Sequence, residues 1–530
     1  MLAAGLHRWL LEAPGQQLSL SGLYLALLGL LYLALGPYLR DYLSHQDSAQ
    51  AKLNAATIPL FALSMVAALL VPPGYSLVFA WEAMALLGYL LIAWGEPGAQ
   101  TGARWFLLSS RLSGAGVLLM VVALSLIERG SASLWPLVFV GALVGFGVKA
   151  AIFPLSLWLT RAHPVAPSPI SALLSGGMTK LGLYGLLLAT TFQTKPPEWM
   201  GWTLVLLGLA GAVYAPVRGL AEQDYKAVLA YSSVENLNLM LAGAGALMLT
   251  QDLRFLAALV FLQLSHAAYK GLLFLGSAIL PAREIGRLGG LWKRAPLTAG
   301  LTLFASVAAA GLPPLAGFLG EWLLFLSFLG AKGLLALSAG MVALAGVLAS
   351  VLYLRAFGLT FLGSARSEAV DRGLEAGPGM RLGMSLLATF LMTISLFPAF
   401  FLPKGISVPL LPQFALFAGL LVLLTLLVWW LKKLQHRSYG TWDCGYTSLE
   451  PVMQPSPLGY SEQVLRLFPF VRLRSVPSVG VLDPLEQAYQ LVSALYQNLA
   501  SAFQRLQSGS IHLYLLLQFL ALLVVLVVAL

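Results

Sequence analysis

Long apolar runs recur along the whole chain, and they limit its fold more than any other feature. Each run is about 18 to 25 residues long, which is the length that an α-helix needs to cross the hydrocarbon core of a bilayer. The runs are rich in Leu, Ala and Gly, whereas the strands of an outer-membrane barrel alternate apolar and polar residues. Only 10% of the 530 residues are charged and 59% are hydrophobic. A chain with so few polar residues cannot cover the surface of a water-soluble protein of this length, so a soluble protein is excluded. The sequence therefore predicts an all-α, polytopic membrane protein.

The apolar runs indicate about fourteen transmembrane helices. Ten of them fall into two units of five helices each, and an odd number of helices turns the second unit upside down, as in inverted-repeat transporters. We expect no cleavable signal peptide at the start. The predicted organisation is an N-terminal segment with the first span (1–55), a first five-helix repeat (56–191), a second, inverted five-helix repeat (202–358), two further spans (359–431), a polar cytoplasmic segment with an amphipathic helix (432–510) and a C-terminal span (511–530).

The basic residues indicate how the chain is oriented. Most of the 31 lysines and arginines, among them Arg355, fall in alternate loops, and such loops are cytoplasmic by the positive-inside rule. This places both termini outside and predicts a multi-pass protein of the prokaryotic cytoplasmic (inner) membrane. The net charge of +10 thus reflects topology, and we expect no nucleic-acid partner.

A single cysteine, Cys444, excludes iron–sulfur clusters and thiolate metal sites within this chain. We expect no catalytic, cofactor-binding or metal-binding residue here, so any iron–sulfur, nickel–iron or quinone centre would belong to partner subunits. Cys444 itself is interpreted as structural.

Charged side chains nevertheless remain inside the predicted spans. Each costs a few kcal/mol at the middle of a bilayer, so the set is expected to line a protein interior or a water-filled cavity and to be functional. A single member such as Arg111 could instead snorkel or form a static ion pair. The set comprises Glu82, Arg111, Lys149, Lys180, Glu235, Lys270 and Glu321, with His266 beside them.

The order of these residues repeats between the two predicted units. The fourth helix of each unit carries Lys149 or Glu321, and a proline interrupts it at Pro154 or at Pro313 and Pro314. A proline removes an amide donor and frees carbonyls, which at this depth only protein or water can satisfy. A broken helix beside a lysine is therefore a place that can hydrate, and a neighbouring carboxylate changes the lysine's proton affinity. The pattern predicts a proton relay.

Several segments closely resemble one family. They are WEAMALLGYL, the run VKAAIFPLSLWLTRAHPVAPSPISALLSGGMTKLGLYG, DYKAVLAYSSVEN, HAAYKGLLFL and GLPPLAGFLGEW. They are similar to the antiporter-like membrane subunits shared by respiratory complex I, Mrp-type cation/proton antiporters and group 4 membrane-bound nickel–iron hydrogenases.

The resemblance implies a role for each buried charge. It implies that Glu82 and Lys149 form an input pair, and it implies proton transfer along the row, driven by redox chemistry elsewhere in a complex. Arg161 and His163 are placed toward the cytoplasmic mouth, as possible supporting residues with Arg111. The proton-transfer residues implied are Glu82, Lys149, Lys180, His266, Lys270 and Glu321, and the intramembrane Glu235 is predicted to act with them.

Two segments near the C-terminus indicate which branch of the family the chain resembles most. TWDCGYTSLEPVMQPSPLGYSE and LQSGSIHLYLLLQFLALLVVL look like the large antiporter-like subunit of hydrogenase-4 and formate hydrogenlyase complexes. Unlike the usual family pattern, the chain is expected to lack two helices before its first span. Between Asp483 and Gln507 the sequence is amphipathic at helical spacing, which predicts a helix along the membrane surface or a partner.

Alternative functions share most of these features. An Mrp-type Na⁺/H⁺ antiporter subunit would carry nearly the same membrane charges. A purely structural membrane anchor would leave the buried charges unexplained, and an inorganic-carbon accumulator would need a zinc-bearing partner. The leading prediction is a proton-translocating subunit of a complex I-like NADH/quinone oxidoreductase or hydrogenase-type complex. Its expected partners are other membrane subunits, the bilayer, and protons or Na⁺.

Overall fold

The computed structural model of the chain describes residues 20–95, 98–130, 134–193, 196–402, 419–420, 422–427, 429–430, 453–468 and 484–504. These residues form helices and connecting loops without a β-strand, apart from one isolated bridge between Asp224 and Glu284. The prediction of an all-α protein is confirmed. In chain order the helices are α1 (Leu20–Ser44), α2 (Ser48–Leu70), α3 (Tyr75–Ala93), α4 (Gln100–Glu128), α5 (Trp135–Lys149), α6 (Leu157–Ala162), α7 (Ser168–Leu173), α8 (Thr179–Thr190), α9 (Glu198–Leu220), α10 (Tyr225–Thr250), α11 (Leu253–Gly276), α12 (Pro296–Ala309), α13 (Ala316–Leu329), α14 (Leu334–Phe361), α15 (Glu368–Asp371), α16 (Pro378–Leu396), α17 (Pro457–Leu465) and α18 (Pro484–Gln504).

Nine helices within the described residues are long and apolar enough to cross a membrane. They are α1 to α4, the stretch Ser168–Thr190 that contains α7 and α8, then α9, Leu253–Ile279, α14 and α16. Helices α5, α12 and α13 are shorter and also apolar. The chain is therefore a multi-pass membrane protein, as predicted, while the number of fourteen helices and the inverted repeat remain predictions.

Two helices form the centre of the bundle. Every residue of α10 from Tyr225 to Leu247 is buried, and so is every residue of α11 from Phe255 to Gly276. The buried part of α10 is rich in serine and asparagine, which cannot leave their polar groups unpaired at this depth. A fully enclosed helix with such side chains must form hydrogen bonds to neighbouring helices.

Glycines allow close packing between α4 and α5. A Cβ atom added at Gly141 would lie 2.6 Å from the backbone nitrogen of Met120, and one added at Gly145 would lie 2.6 Å from that of Val117. Small residues at a helix contact are typical of membrane bundles, where close backbone approach gives the packing energy. This contact fixes the end of α5, and with it Lys149, against α4.

The first predicted break separates α5 from α6 and contains Pro154, whose peptide bond to Phe153 is cis. Asn238 of α10 holds the connecting segment. Its Oδ1 accepts a hydrogen bond of 2.9 Å from the Phe153 amide, and its Nδ2 donates to the Ala151 carbonyl at 3.4 Å. Because backbone groups freed inside a membrane need protein partners, Asn238 stabilises the break.

The second predicted break separates α12 from α13 and contains the cis Pro313–Pro314 bond. Serines of two other helices bind its backbone. The Ser350 hydroxyl of α14 donates to the Ala310 carbonyl at 2.7 Å, and the Ser395 hydroxyl of α16 accepts from the Ala316 amide at 2.9 Å. Both breaks are thus held by polar side chains from neighbouring helices.

Helix α17 packs on the main helical bundle through a buried arginine. The Nε atom of Arg355 donates to the Pro457 carbonyl at 3.0 Å, and its Nη2 donates to the Glu222 carbonyl at 2.7 Å. Arg355 was counted above as a basic loop residue, but its exposure is 0%. It lies on α14 and joins this helix to α17.

Some predicted features lie outside the described residues. These are the start of the chain up to residue 19, most of the span near 409–431, Cys444 and the last span, 511–530. The predicted amphipathic segment does contain a helix, α18, which belongs to a separate compact unit, Phe470–Leu530. Its position along the membrane surface or a partner remains a prediction.

The first break generates a test of packing. A Cβ atom at Gly211 of α9 would lie 2.6 Å from Cβ of Phe153 and would also collide with the Asn238 side chain. We expect Gly211→Ala to cost about 1–3 kcal/mol, as overpacking of a tight interior does. The measurement is the Tm of the purified complex in detergent.

Gly340→Ala is the matched control, because a Cβ there meets no atom within 4 Å. Both substitutions replace a glycine inside a helix, where alanine is intrinsically favoured by about 1 kcal/mol. The control should leave the Tm unchanged or raise it. An equal response of the two variants would contradict the described packing at the break.

Candidate functional site

The eight residues predicted to lie inside the spans, from Glu82 to Glu321, are on seven helices and form three groups. The first group lies at the contact of α3, α4 and α5, the second at the contact of α8, α10 and α11, and the third where α10 and α11 meet the second break. Several of their side chains are almost completely buried, including Lys149 at 1% exposure and Lys180, Glu235, His266 and Lys270 at 0%.

The first group pairs Glu82 with Arg111 directly. These two side chains form an ion pair between α3 and α4, and they are 29% and 50% exposed. The Lys149 ammonium donates instead to the Ser110 hydroxyl at 2.7 Å and lies 4.4 Å from the centre of the Phe106 ring. Lys149 still lies within electrostatic reach of Glu82 and Arg111. The three charges therefore form one cluster.

The backbone joins the first group to the second. Helix α8 packs on the end of α5 at Gly182, where an added Cβ would lie 2.9 Å from the carbonyl carbon of Lys149. Lys180 lies two residues earlier on the same helix. The two lysines are thus held by neighbouring segments of backbone.

The second group is centred on Lys180 and His266. The Lys180 ammonium is hydrogen-bonded to His266 Nδ1, and it also donates to the Ser175 carbonyl at 2.6 Å. Ser175 belongs to a π-helical turn, Leu174–Met178, between α7 and α8. Such turns widen the helix and frequently occur at functional sites. Here the turn presents a carbonyl oxygen to a buried ammonium group.

Lys270 on α11 also donates hydrogen bonds to a backbone carbonyl and a neutral side chain. Its ammonium donates to the Leu229 carbonyl at 3.0 Å and to the Ser232 hydroxyl, and it lies 5.0 Å from the centre of the Tyr353 ring. The adjacent Ser233 is hydrogen-bonded to Ser175 at 2.9 Å between the hydroxyl oxygens. Serines therefore connect the surroundings of Lys270 with those of Lys180.

The third group contains Glu235 on α10 and Glu321 on α13. Oε2 of Glu235 accepts a hydrogen bond of 2.5 Å from Asn236 Nδ2, and the Tyr269 hydroxyl donates to Asn236 Oδ1 at 2.8 Å. The charges of Glu321 and Lys270 both act on Glu235. The Glu321 carboxylate lies beside the second break, because a Cβ atom added at Gly311, within the break, would be 3.1 Å from its carboxyl carbon.

The supporting residues Arg161 and His163 lie on or next to α6. Arg161 is partly exposed, whereas His163 is completely buried and stacks on Phe274 with ring centres 4.4 Å apart. Neither ring nitrogen of His163 has a hydrogen-bond partner among the described residues. Lys180, Lys226 and Lys270 act on it electrostatically. His163 is thus a buried imidazole within Coulombic range of the central lysines, and its place toward the cytoplasmic mouth remains a prediction.

Sequence analysis missed the neutral polar side chains that hold the charged ones. The available signal was the presence of single polar residues in long apolar runs next to a charge, as with the two serines before Glu235. The missed residues are Ser110, Ser175, Ser232, Ser233, Asn236, Asn238 and Tyr269. The part of the chain that the structure describes has no group of three His, Cys, Asp or Glu residues that could hold a metal ion.

Chemically, the arrangement is a row of titratable side chains that extends from Glu82 to Glu321. An ammonium group and an imidazole nitrogen can share a hydrogen bond only when one of them lacks its proton on that line. The Lys180–His266 contact can therefore hold a proton on either side. Lys270, Glu235 and Glu321 continue the row toward the second break.

Comparison with known proteins identifies the family. The family model for the NADH:quinone oxidoreductase/Mrp antiporter transmembrane region matches residues 75–348, which include all seven predicted proton-transfer residues. Hydrogenase-4 component B of Escherichia coli K12 is 30% identical, over 96% of this chain and 88% of that protein. Formate hydrogenlyase subunit 3 of the same organism is 29% identical, over 86% and 81%.

Among solved structures, the archaeal membrane-bound sulfane sulfur reductase, a respiratory membrane complex, contains a chain with the same fold. The TM-score is 0.70 at 21% identity, with 100% of this chain and 93% of that chain covered. The resemblance stated from the sequence motifs is confirmed. The chain belongs to the NADH:quinone oxidoreductase/Mrp antiporter family of antiporter-like membrane subunits.

Proposed function

We propose that this chain translocates protons across a prokaryotic cytoplasmic membrane as a subunit of a redox-driven respiratory complex of the hydrogenase type. The observation that carries the proposal is the row of buried proton-exchanging side chains through the middle of the bundle, with a hydrogen bond between Lys180 and His266 at its centre. The similarity to hydrogenase-4 component B over most of both chains supports the choice of complex. Electrons would be transferred in partner subunits.

The energetic cost of the row supports a functional role. Each ionised group inside a bilayer costs several kcal/mol unless it is paired or hydrated. Static ion pairs would satisfy this requirement, but the three lysines of the row, Lys149, Lys180 and Lys270, bind serine hydroxyls, carbonyls or an imidazole, with no direct carboxylate contact in the described residues. Neutral partners leave a lysine free to give up its proton, which a tight ion pair would oppose.

The helix breaks provide the connection to water. The first break follows Lys149 directly, and the second lies beside Glu321. Backbone carbonyls at a break can bind water as well as protein. We propose that protons enter the row near Lys149 and leave it past Glu321.

A neighbouring membrane subunit is proposed to cover the Glu82–Arg111 ion pair. Arg111 is 50% exposed near the middle of α4, and exposed apolar side chains surround the pair on the same faces of α3 and α4, namely Phe79, Leu86 and Leu108. An arginine facing lipid at this depth is costly. A partner helix that offers a carboxylate or carbonyl oxygen would remove this cost and would let the partner change the charge balance beside Lys149.

Loss of the Lys149 ammonium group should strongly reduce proton translocation. We expect Lys149→Met to reduce redox-driven acidification of inverted vesicles at least tenfold, because the first proton-exchanging site of the row is gone, while the complex still assembles. Lys332→Met replaces an exposed lysine outside the row and should pump normally. Wild-type pumping by Lys149→Met would remove this lysine from the path.

The choice between H⁺ and Na⁺ has a direct test. We expect the initial rate of acidification to be the same in Na⁺-free buffer as in Na⁺ buffer, because the proposed row exchanges protons only. The measurement is fluorescence quenching of a pH-sensitive dye in vesicles that contain the whole complex. A slower acidification in Na⁺ buffer, together with Na⁺ uptake that a protonophore abolishes, would favour the Mrp-type exchanger instead.

The partner surface can be tested by photo-crosslinking. Leu108 is 66% exposed and lies three residues before Arg111, so the two share one face of α4. A photoreactive amino acid at position 108 should form an adduct with another membrane subunit of the complex, identified by mass spectrometry. Adducts with lipid alone would contradict a protein partner at this surface.

A further inference from the structure

Tyr269, Asn236 and Glu235 form a hydrogen-bonded chain that determines more than the position of a carboxylate. We propose that Asn236 and Tyr269 are positioning residues that fix which oxygen of Glu235 carries the transferable proton, and that this oxygen is Oε1. The inference rests on the proposed role of Glu235 in proton transfer and deepens it. It assigns a new role to two residues that carry no charge.

The orientation of the Asn236 amide follows from its neighbour. The Tyr269 hydroxyl donates to Asn236 Oδ1 at 2.8 Å, and this oxygen is its only hydrogen-bond acceptor in the part of the chain that the structure describes. If the amide were turned around, its NH₂ group would face the hydroxyl and the hydroxyl proton would lose its acceptor. An unpaired donor costs about 1–3 kcal/mol when buried, and Tyr269 is 1% exposed. Tyr269 therefore keeps Oδ1 on its own side.

The fixed amide then presents its NH₂ group to Glu235. Asn236 Nδ2 donates to Oε2 of Glu235 at 2.5 Å. A carboxylic acid has one hydroxyl group, and an amide nitrogen is only a donor. A carbonyl oxygen accepts a hydrogen bond more strongly than a hydroxyl oxygen does, so the bond from Asn236 favours Oε2 as the C=O oxygen of the protonated acid. When Glu235 is protonated, its proton is on Oε1.

Oε1 is the oxygen that can exchange this proton. It is buried and has no hydrogen-bond partner within the described residues, so no bond has to break before it accepts or releases a proton. Four titratable groups surround the site, and their charges act on Glu235 or are influenced by it: Lys270, Tyr269, Glu321 and Tyr353. Lys270 is the donor and Glu321 the acceptor that the direction of the row requires.

Asn236 therefore confines proton exchange at Glu235 to one oxygen. One carboxylate oxygen is bound in place and the other is free, so the side chain does not have to rotate between accepting and releasing its proton. Replacing Tyr269 by phenylalanine would leave the amide free to turn. A turned amide would place an acceptor against Oε2 and draw the proton to that oxygen.

Infrared difference spectroscopy of the reconstituted complex tests the assignment. The C=O band of protonated Glu235 is identified as the band that disappears in Glu235→Gln. With the proton on Oε1, the C=O group is the one at Oε2 and accepts a hydrogen bond from Asn236. Asn236→Leu should then shift the band to higher wavenumber, because that hydrogen bond is lost.

A band that does not move in Asn236→Leu would overturn the proposal. The C=O oxygen would then be Oε1, which has no hydrogen bond to lose, and the proton would be on Oε2. Absence of any Glu235-dependent carboxylic acid band across the accessible pH range would overturn it too. Tyr269→Phe provides a second variant in case Asn236→Leu fails to assemble. It should shift or split the same band, and an unchanged band in this variant would contradict the positioning role of Tyr269.

Tyr38→Phe is the matched control for the loss of a buried hydroxyl. Tyr38 is 0% exposed, and its hydroxyl donates to the Leu275 carbonyl at 2.8 Å, the same distance as in Tyr269. This variant should leave the Glu235 band in place. The spectrum reports the position of the proton even in a complex that does not pump, so failure of this inference is distinct from failure of the proposed pathway, which normal pumping by Glu235→Gln would indicate.

Discussion

The structure depends on one constraint, the high free energy of an unpaired polar group inside a bilayer. Backbone amides and carbonyls, ammonium groups and carboxylates all need partners there, because water is scarce and each unpaired group costs several kcal/mol. Broken helices and buried lysines would each be destabilising alone. In this bundle, neutral side chains of adjacent helices satisfy both. Asn238 binds the first break, Ser350 and Ser395 bind the second, and serines bind the lysines.

This solution concentrates the polar groups on α10, the most enclosed helix. The same helix contributes Asn238 to the first break and Ser232 and the Leu229 carbonyl to Lys270, and it carries Glu235. A small movement of α10 would therefore change the surroundings of the first break and of Lys270 and Glu235 together. Energetic coupling between distant groups is expected where one rigid element contacts both.

Sequence analysis predicted the class of fold, the breaks and the identity of the charged residues, because apolar length, proline and intramembrane charge are local signals. It did not predict the hydrogen-bond partner of each charged side chain. His266 and Lys270 lie four residues apart, so helical periodicity places them on a shared face. In the structure His266 binds Lys180, whereas Lys270 binds Ser232. Helical periodicity gives the face of a residue, but the partner depends on the register between helices, which no local pattern encodes. The burial of Arg355 was missed for the same reason, since its partners lie more than 100 positions away in the chain.

The π-helical turn at Leu174–Met178 has a consequence for how such a site can arise. A π turn corresponds to one residue inserted into an α-helix, and one residue corresponds to about 100° of rotation. The turn therefore resets the angular phase between the proline-rich start of α7 and the lysine of α8. A single inserted codon could thus have turned Lys180 toward the bundle interior without moving the residues that anchor the other end of the helix.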